Sequence, residues 1–241
     1  TAAVTITTAA ANAAQTYKAA VSSTVPVSLA AGTNIIIVNS TLGAGANSIT
    51  IDADGIDLFG GAGSVSGTST ILLQPSANST SIGIGDLAAG TLKLSDADIA
   101  ALANGFSSIT IGRAAGTHTI IIDAITFNDP VTIRAPAGAG SITVDGQING
   151  DGNASVTLDG SGATTTLNAD IVTAGNAITI SDSVLVGVAS VILNTTNGVP
   201  AGNDISITGT TDSEPLETNS LTLNAGTGGD ITLTGNVGAT D

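Results

Sequence analysis

Aliphatic and hydroxyl residues alternate in short runs along the chain, most plainly as Ile-Thr-Ile. Runs of this kind begin at Ile109, Ile120, Val131, Ile142, Val156, Ile178, Val191, Ile205, Leu221 and Ile231. Alternation with a period of two marks a strand that buries one face. Glycine, asparagine and aspartate punctuate the gaps, as at Asn149-Gly150-Asp151-Gly152 and Gly226–Gly229, and signal turns. The first four of these runs start 11 residues apart, and later ones spread out around Asn197–Asn203 and Thr211–Asn219.

Two architectures use strands at such intervals. A β-sandwich carries turn signals every ~8–12 residues. A β-solenoid stacks two or three short strands per coil, and pairing alternate runs predicts coils of about 22 residues. Ile109, Val131, Val156 and Ile178 then form one column, and Ile120, Ile142, Leu167 and Val191 a second. Successive side chains of a strand point to opposite faces. The flanking aliphatics therefore turn inward, leaving Thr110, Thr132, Thr157, Thr179, Ser206 and Thr232 as an outward row. The second column's outward set, Ile121, Thr143, Asn168, Ile192 and Thr222, is irregular. A sandwich would ordinarily bury a Trp or Tyr, and this chain has no Trp and a single Tyr. The pattern predicts an all-β fold, a right-handed parallel β-helix (β-solenoid) running as one segment over 1–241.

A coil cannot cover its own edge, so its aliphatics, each contributing about 1.5–3 kcal/mol when buried, must be covered by neighbours. Roughly ten coils about 4.8 Å apart would make a rod of about 50 Å. Neither end of the pattern carries a polar cap. Val4, Thr5, Ile6 and Thr7 at one end, and Ile231, Thr232, Leu233 and Val237 at the other, are the expected assembly interface. Copies of the chain, or adjacent repeats, would stack there end to end. One segment interrupts the pattern: Ser95-Asp96-Ala97-Asp98 precedes Ile99-Ala100-Ala101-Leu102, and Asn104-Gly105 follows. That reads as an N-capped helix of about two turns over 95–105, inserted to cover one flank of the core.

Composition narrows the function. Four Lys+Arg against 19 Asp+Glu give a net charge of −15, which disfavours nucleic acid and anionic membrane surfaces as partners. The longest apolar stretch, Val184–Leu193, is half of the ~20 residues that span a bilayer, so no membrane insertion is expected. With no cysteine and one histidine, a His/Cys zinc cluster, a disulfide framework and a thiol nucleophile are excluded. The absence of cysteine fits a bacterial extracellular protein. The lack of an initiator Met and of a signal peptide is expected of a processed chain or a piece of a longer one.

Several segments resemble a known family. Ser81-Ile-Gly-Ile-Gly-Asp86, Gly90-Thr-Leu-Lys-Leu94 and Gly105-Phe-Ser-Ser-Ile-Thr-Ile-Gly-Arg113 look like a recurrent module of giant bacterial surface proteins. These are the tandem β-strand-repeat adhesins similar to filamentous haemagglutinin. Ala14-Gln-Thr-Tyr17, Asn203-Asp-Ile-Ser-Ile-Thr-Gly-Thr210 and Leu221–Leu233 resemble their connecting repeats. The resemblance implies a secreted, fibrous, non-enzymatic protein of the bacterial cell surface, with a host or neighbouring cell surface as a partner.

Two acidic segments are candidate sites. Asp52-Ala-Asp54-Gly55-Ile56-Asp57 and Asn149-Gly-Asp151-Gly-Asn153 set oxygen ligands on glycine turns, which suits Ca²⁺. No cofactor is otherwise required. Asp-Gly-Ile-Asp also resembles part of the acidic motif of polygalacturonase-type glycosidases, which need paired carboxylates. Their Asp-Asp, Gly-His-Gly and Arg-Ile-Lys motifs do not occur here, so the expectation is no enzyme. His118, between Thr117 and Thr119, is expected to be an exposed spectator, and Arg113, Arg134, Lys18 and Lys93 to pair locally with Asp. A threonine row can order water, as in ice-binding solenoids, but this one is a single residue wide. An adhesin module binding cells or carbohydrate would show an aromatic platform, and Tyr17, Phe59, Phe106 and Phe127 are dispersed. The sequence favours a structural segment of a surface or filament protein.

Overall fold

The alternating runs form strands because β-branched residues fit a pleated surface covered on one side. A computed structural model describes residues 2–160, 164–215 and 217–238. Its strands stack as a parallel β-solenoid of about ten coils. The longest sheet runs Val4–Thr7, Val27–Val38, Ile49–Leu58, Thr70–Gln74, Ser108–Ile111, Val131–Arg134, Val156–Asp159, Ile178–Ile180, Ile205–Ile207, Ile231–Leu233. A second sheet orders Leu92–Leu94, Ile82–Ile84, Thr119–Ile122, Ser141–Val144, Thr164–Leu167, Ser183–Val186 and Thr211–Ser213. The third holds Ile125–Phe127, Ile148–Gly150, Ile171–Thr173, Ser190–Asn194 and Ser220–Asn224; Val21–Ser22, Leu42–Gly43 and Val65–Ser66 form a separate short sheet. Every pairing between these strands is parallel, and from Ser108 onward three strands make a full coil.

The expected repeat holds where loops are short. Val27 stacks on Ile49, Ile49 on Ile71, and Ile109 on Val131, each 22 residues on. The first column continues through Val156, Ile178, Ile205 and Ile231 as read from the sequence. Its aliphatics are fully buried until the last coil. The outward row Thr110, Thr132, Thr157, Thr179, Ser206, Thr232 is in register throughout.

The second column differs from expectation. Ile142 stacks on Thr165, and Thr165 on Val184; Leu167 lies between Val144 and Val186. Val191 belongs to the third sheet, over Leu221. The register follows Leu167, which must be covered, and the two-residue period then puts Thr165 inside. Its hydroxyl is satisfied there, donating to Asp182 Oδ2 at 2.5 Å.

The helical insert is shorter than expected, covering Asp96–Ala100. Ser95 caps it: its Oγ accepts from the Asp98 amide, and the Asp98 carboxylate accepts from the Ser95 amide. Asp98 Oδ1 also accepts from the Leu58 amide at 2.7 Å, which ties the turn to the neighbouring coil. Leu102 then bridges to Val65, so the insert continues the short sheet.

The chain before the insert makes an unusual return. Leu92–Leu94 pairs in parallel with Ile82–Ile84, only a few residues upstream. The connection reverses at Gly85, whose φ is +98°, and lies flat across the outer face of Ile82–Ile84. A Cβ on Gly90 would sit 2.1 Å from the Gly83 nitrogen, so only glycine permits this crossing.

Candidate functional site

At both ends of the solenoid the edge strand is exposed. Val4 and Ile6 are 42% and 37% exposed, and Ile231, Leu233 and Val237 are 48%, 37% and 62%. Their counterparts one coil in, Val27, Leu29, Ile205 and Ile207, are at most 2% exposed. These eight expected interface residues, Val4 to Thr7 with Ile231 to Leu233 and Val237, therefore form two open edges with the side-chain pattern of interior coils.

The main chain at the two edges is also specified. In the interior, Ile205 donates its amide to the Asp230 carbonyl of the next coil, and Ile109 donates likewise to Pro130. The Val4 amide donates to Pro26, and the Thr8 amide to Ala30. The intervening amides point the other way, as Thr208 to Ile180 and Thr234 to Ile207 show. By the same alternation, Thr5 and Thr7 aim their amides out of the first edge, while Ile231 and Leu233 aim theirs out of the last.

The two edges differ in charge. Residues 1–51 contain no Asp or Glu, and Lys18 is their one charged side chain. From 204 onward the described chain carries Asp204, Asp212, Glu214, Glu217 and Asp230 and no Lys or Arg. A cavity of about 320 Å³ opens at the acidic end, lined in part by Val186, Thr211, Asp212, Glu217, Leu221 and Val237. The Thr211 hydroxyl, inside the coil, has no hydrogen-bond partner.

The acidic cluster at 52–57 is dispersed along one strand. Asp52 Oδ2 accepts from Arg113 Nη1 at 2.8 Å and from Gln74 Nε2 at 2.7 Å. Asp54 Oδ1 accepts from the amide and hydroxyl of Ser76, both at 2.8 Å. Asp57 is half-buried, and burial together with nearby Asp98 raises its pKa. These carboxylates thus lace one coil to later ones. In the second acidic segment, Asn149 Oδ1 accepts from Gln147 Nε2, and the Asp151 main chain turns onto Phe127 and Ala154. Asn153 is exposed. Among the described residues no three His, Cys, Asp or Glu side chains converge as a metal-binding group.

His118 is fully buried, contrary to the expectation of an exposed spectator. Its Nδ1 donates to the Thr80 carbonyl at 2.8 Å, and its Nε2 accepts from the Arg113 amide at 3.1 Å. A carbonyl can only accept and an amide can only donate, so the ring is neutral with its proton on Nδ1. Burial lowers its pKa, reinforced by Arg113 and Arg134. The ring clamps a turn; Thr117-His118-Thr119 alone gave no hint, because the carbonyl it meets is 38 residues away.

Sequence reasoning also passed over two buried carboxylates. Asp129 accepts from the Gly105 and Phe106 amides at 3.0 Å, stopping the chain after the helical insert. Asp182, 4% exposed, is held up at a pKa of about 6 by burial. Of the aromatics, Phe106 and Phe127 are core and Phe59 is 64% exposed, so no aromatic platform forms among them. Among the described residues no helix is long and apolar enough to cross a membrane.

No protein-family model, curated protein or solved structure matches the chain.

Proposed function

We propose that this chain is a structural segment of a secreted bacterial surface or filament protein, an acidic rod that extends and stiffens a longer assembly. The observation that carries this reading is the ladder itself: about ten stacked coils, with one alternating side-chain pattern repeated along the long parallel sheet. A long uniform ladder resists bending because each strand is bonded along its length to both neighbours, and it needs no pocket to do so. Further coils cover the edges, whether they belong to the same chain or to another copy. The resemblance to filamentous-haemagglutinin-like repeats supports placement outside the cell. The reading is mechanical, with Ca²⁺ as an optional cross-link between acidic faces rather than a required cofactor.

Electron microscopy of the purified 241-residue chain, in calcium and in EDTA, tests this proposal. Rods of about 50 Å per copy are expected from ten coils at ~4.8 Å. Rods bundling only with calcium would support a cation cross-link between acidic faces. A compact, isotropic particle overturns the proposal. Immunogold labelling of intact producing cells checks the location, and label confined to the cytoplasm overturns it.

A further inference from the structure

We propose that the occupant of the acidic end is the acid-free end of a second copy of this chain, joined head to tail as a polar filament. This rests on the rod reading above and adds a partner and a direction to it. Three observations converge on it.

The first is the hydrogen-bond ladder. Val4–Thr7 stacks on Val27–Ala30 in the register that Ile205–Ile207 uses on Ile231–Leu233. Laying Val4–Thr7 of one copy over Ile231–Leu233 of another continues the same step. The amides that point out of each edge then meet carbonyls: Ile231 donates to Ala3, Thr5 to Ile231, Leu233 to Thr5, and Thr7 to Leu233. The side chains agree, since Val4 falls over Ile231 and Ile6 over Leu233, while Thr5 and Thr232 extend the outward row. The long sheet of one rod continues as a parallel sheet into the next.

The second is symmetry. A two-fold contact, acidic end on acidic end, would set the long sheet against itself with strands reversed, and the parallel ladder could not continue. Head-to-tail contact keeps the strand direction and is heterologous, so it repeats without closing.

The third is charge. The acid-free end presents exposed Lys18 and no carboxylate through residue 51, whereas five carboxylates flank the other end. Like ends repel at the acidic side, and unlike ends attract. The incoming coil would also cover Val237, exposed beside the cavity that holds the unpartnered Thr211 hydroxyl.

Sedimentation velocity over a concentration series, with negative-stain microscopy at low and high salt, tests the contact. The expected result is a mass that climbs with concentration past the dimer, and rods that lengthen in whole multiples. High salt shifts the series toward single rods, because the charge term is screened. Lys18→Glu should weaken association several-fold with an unchanged far-UV circular dichroism spectrum. Thr5→Pro removes an amide that faces only the open edge, and one lost main-chain hydrogen bond predicts a decrease of up to about tenfold. If Thr5→Pro fails to fold, Lys18→Glu still decides. Single elongated rods at every concentration overturn the filament contact and leave the rod proposal standing. A series that stops at the dimer overturns the head-to-tail direction. A frictional ratio of a compact sphere overturns the rod reading itself.

Discussion

Two buried titratable side chains make opposite contributions to acid stability. The folded state holds the His118 pKa below its ordinary 6.5, so between those values the unfolded chain binds a proton that the native chain refuses. Stability then falls as pH drops through that window. Asp182 runs the other way: its pKa rises from 3.8 to about 6, so the native state takes up the extra proton and gains stability as pH falls across that range. The cause is burial, with Asp159 adding to it against the Thr165 hydrogen bond. Urea unfolding at several pH values separates the two. H118Q should lose less stability than the wild type between pH 7 and pH 5. D182N should gain on the wild type as pH rises from 4 to 7, since it removes the buried charge and keeps an acceptor for Thr165. Parallel pH profiles for variant and wild type would refute either assignment. Asp129 makes a third test at this scale. It is 1% exposed and accepts amides from Gly105 and Phe106. D129A strands the buried Phe106 amide, at a cost of about 1–3 kcal/mol, and a fall of that order in unfolding free energy is expected.

The interruption between Ile84 and Ser108 shows what a strand pattern can and cannot reveal. Strand positions in the regular coils were legible because an aliphatic run with period two can bury its face in only one register. The helical turn was legible too, since Ser95 and Asp98 stand three apart ahead of Ile99, the spacing a capping box needs. Its length was not, because Asp98 also holds Leu58 of another coil, a contact absent from local sequence. Thr165 escaped for a related reason: an inward threonine is tolerated only because Asp182, 17 residues on, accepts its hydroxyl. The two end strands were legible as strands, since Val4–Thr7 and Ile231–Leu233 carry the ordinary alternation. The same logic predicts the effect of crowding the return loop. In Gly90→Ala the new Cβ would fall against the Gly83 backbone, which cannot yield as a flexible side chain would. The expected outcome is local loss of Leu92–Leu94 pairing, read as faster amide exchange at 82–94, with the coils from Ile109 onward unchanged. Uniform destabilisation of all coils would show that the return loop is part of one cooperative core.

Along the whole rod, each coil contacts its two neighbours, so stability is the sum of coil and interface terms rather than one global quantity. A coil at an open end has one interface and a central coil has two. Amide exchange in dilute solution should therefore be slowest near Val131–Leu158, flanked by buried columns on both sides, and fastest at Val4–Thr7 and Ile231–Leu233. The gradient does not need to be symmetric. At the first edge the few charges leave little repulsion, and Gln15 Nε2 braces the end by donating to the Ala30 and Ile6 carbonyls at 2.8 and 3.2 Å. At the last edge Asp204 and Asp230 sit on adjacent coils, with the Asp230 amide bonded to Asp204 Oδ1 at 2.9 Å, and nearby Asp212, Glu214 and Glu217 add like charge. Fraying should start at the acidic end and lessen as salt screens that repulsion. If copies stack, raising the protein concentration slows exchange at both end strands together while the centre stays constant. A centre that exchanges as fast as the ends would mean that the rod opens as a single unit, and the nearest-neighbour picture of its strength would fail.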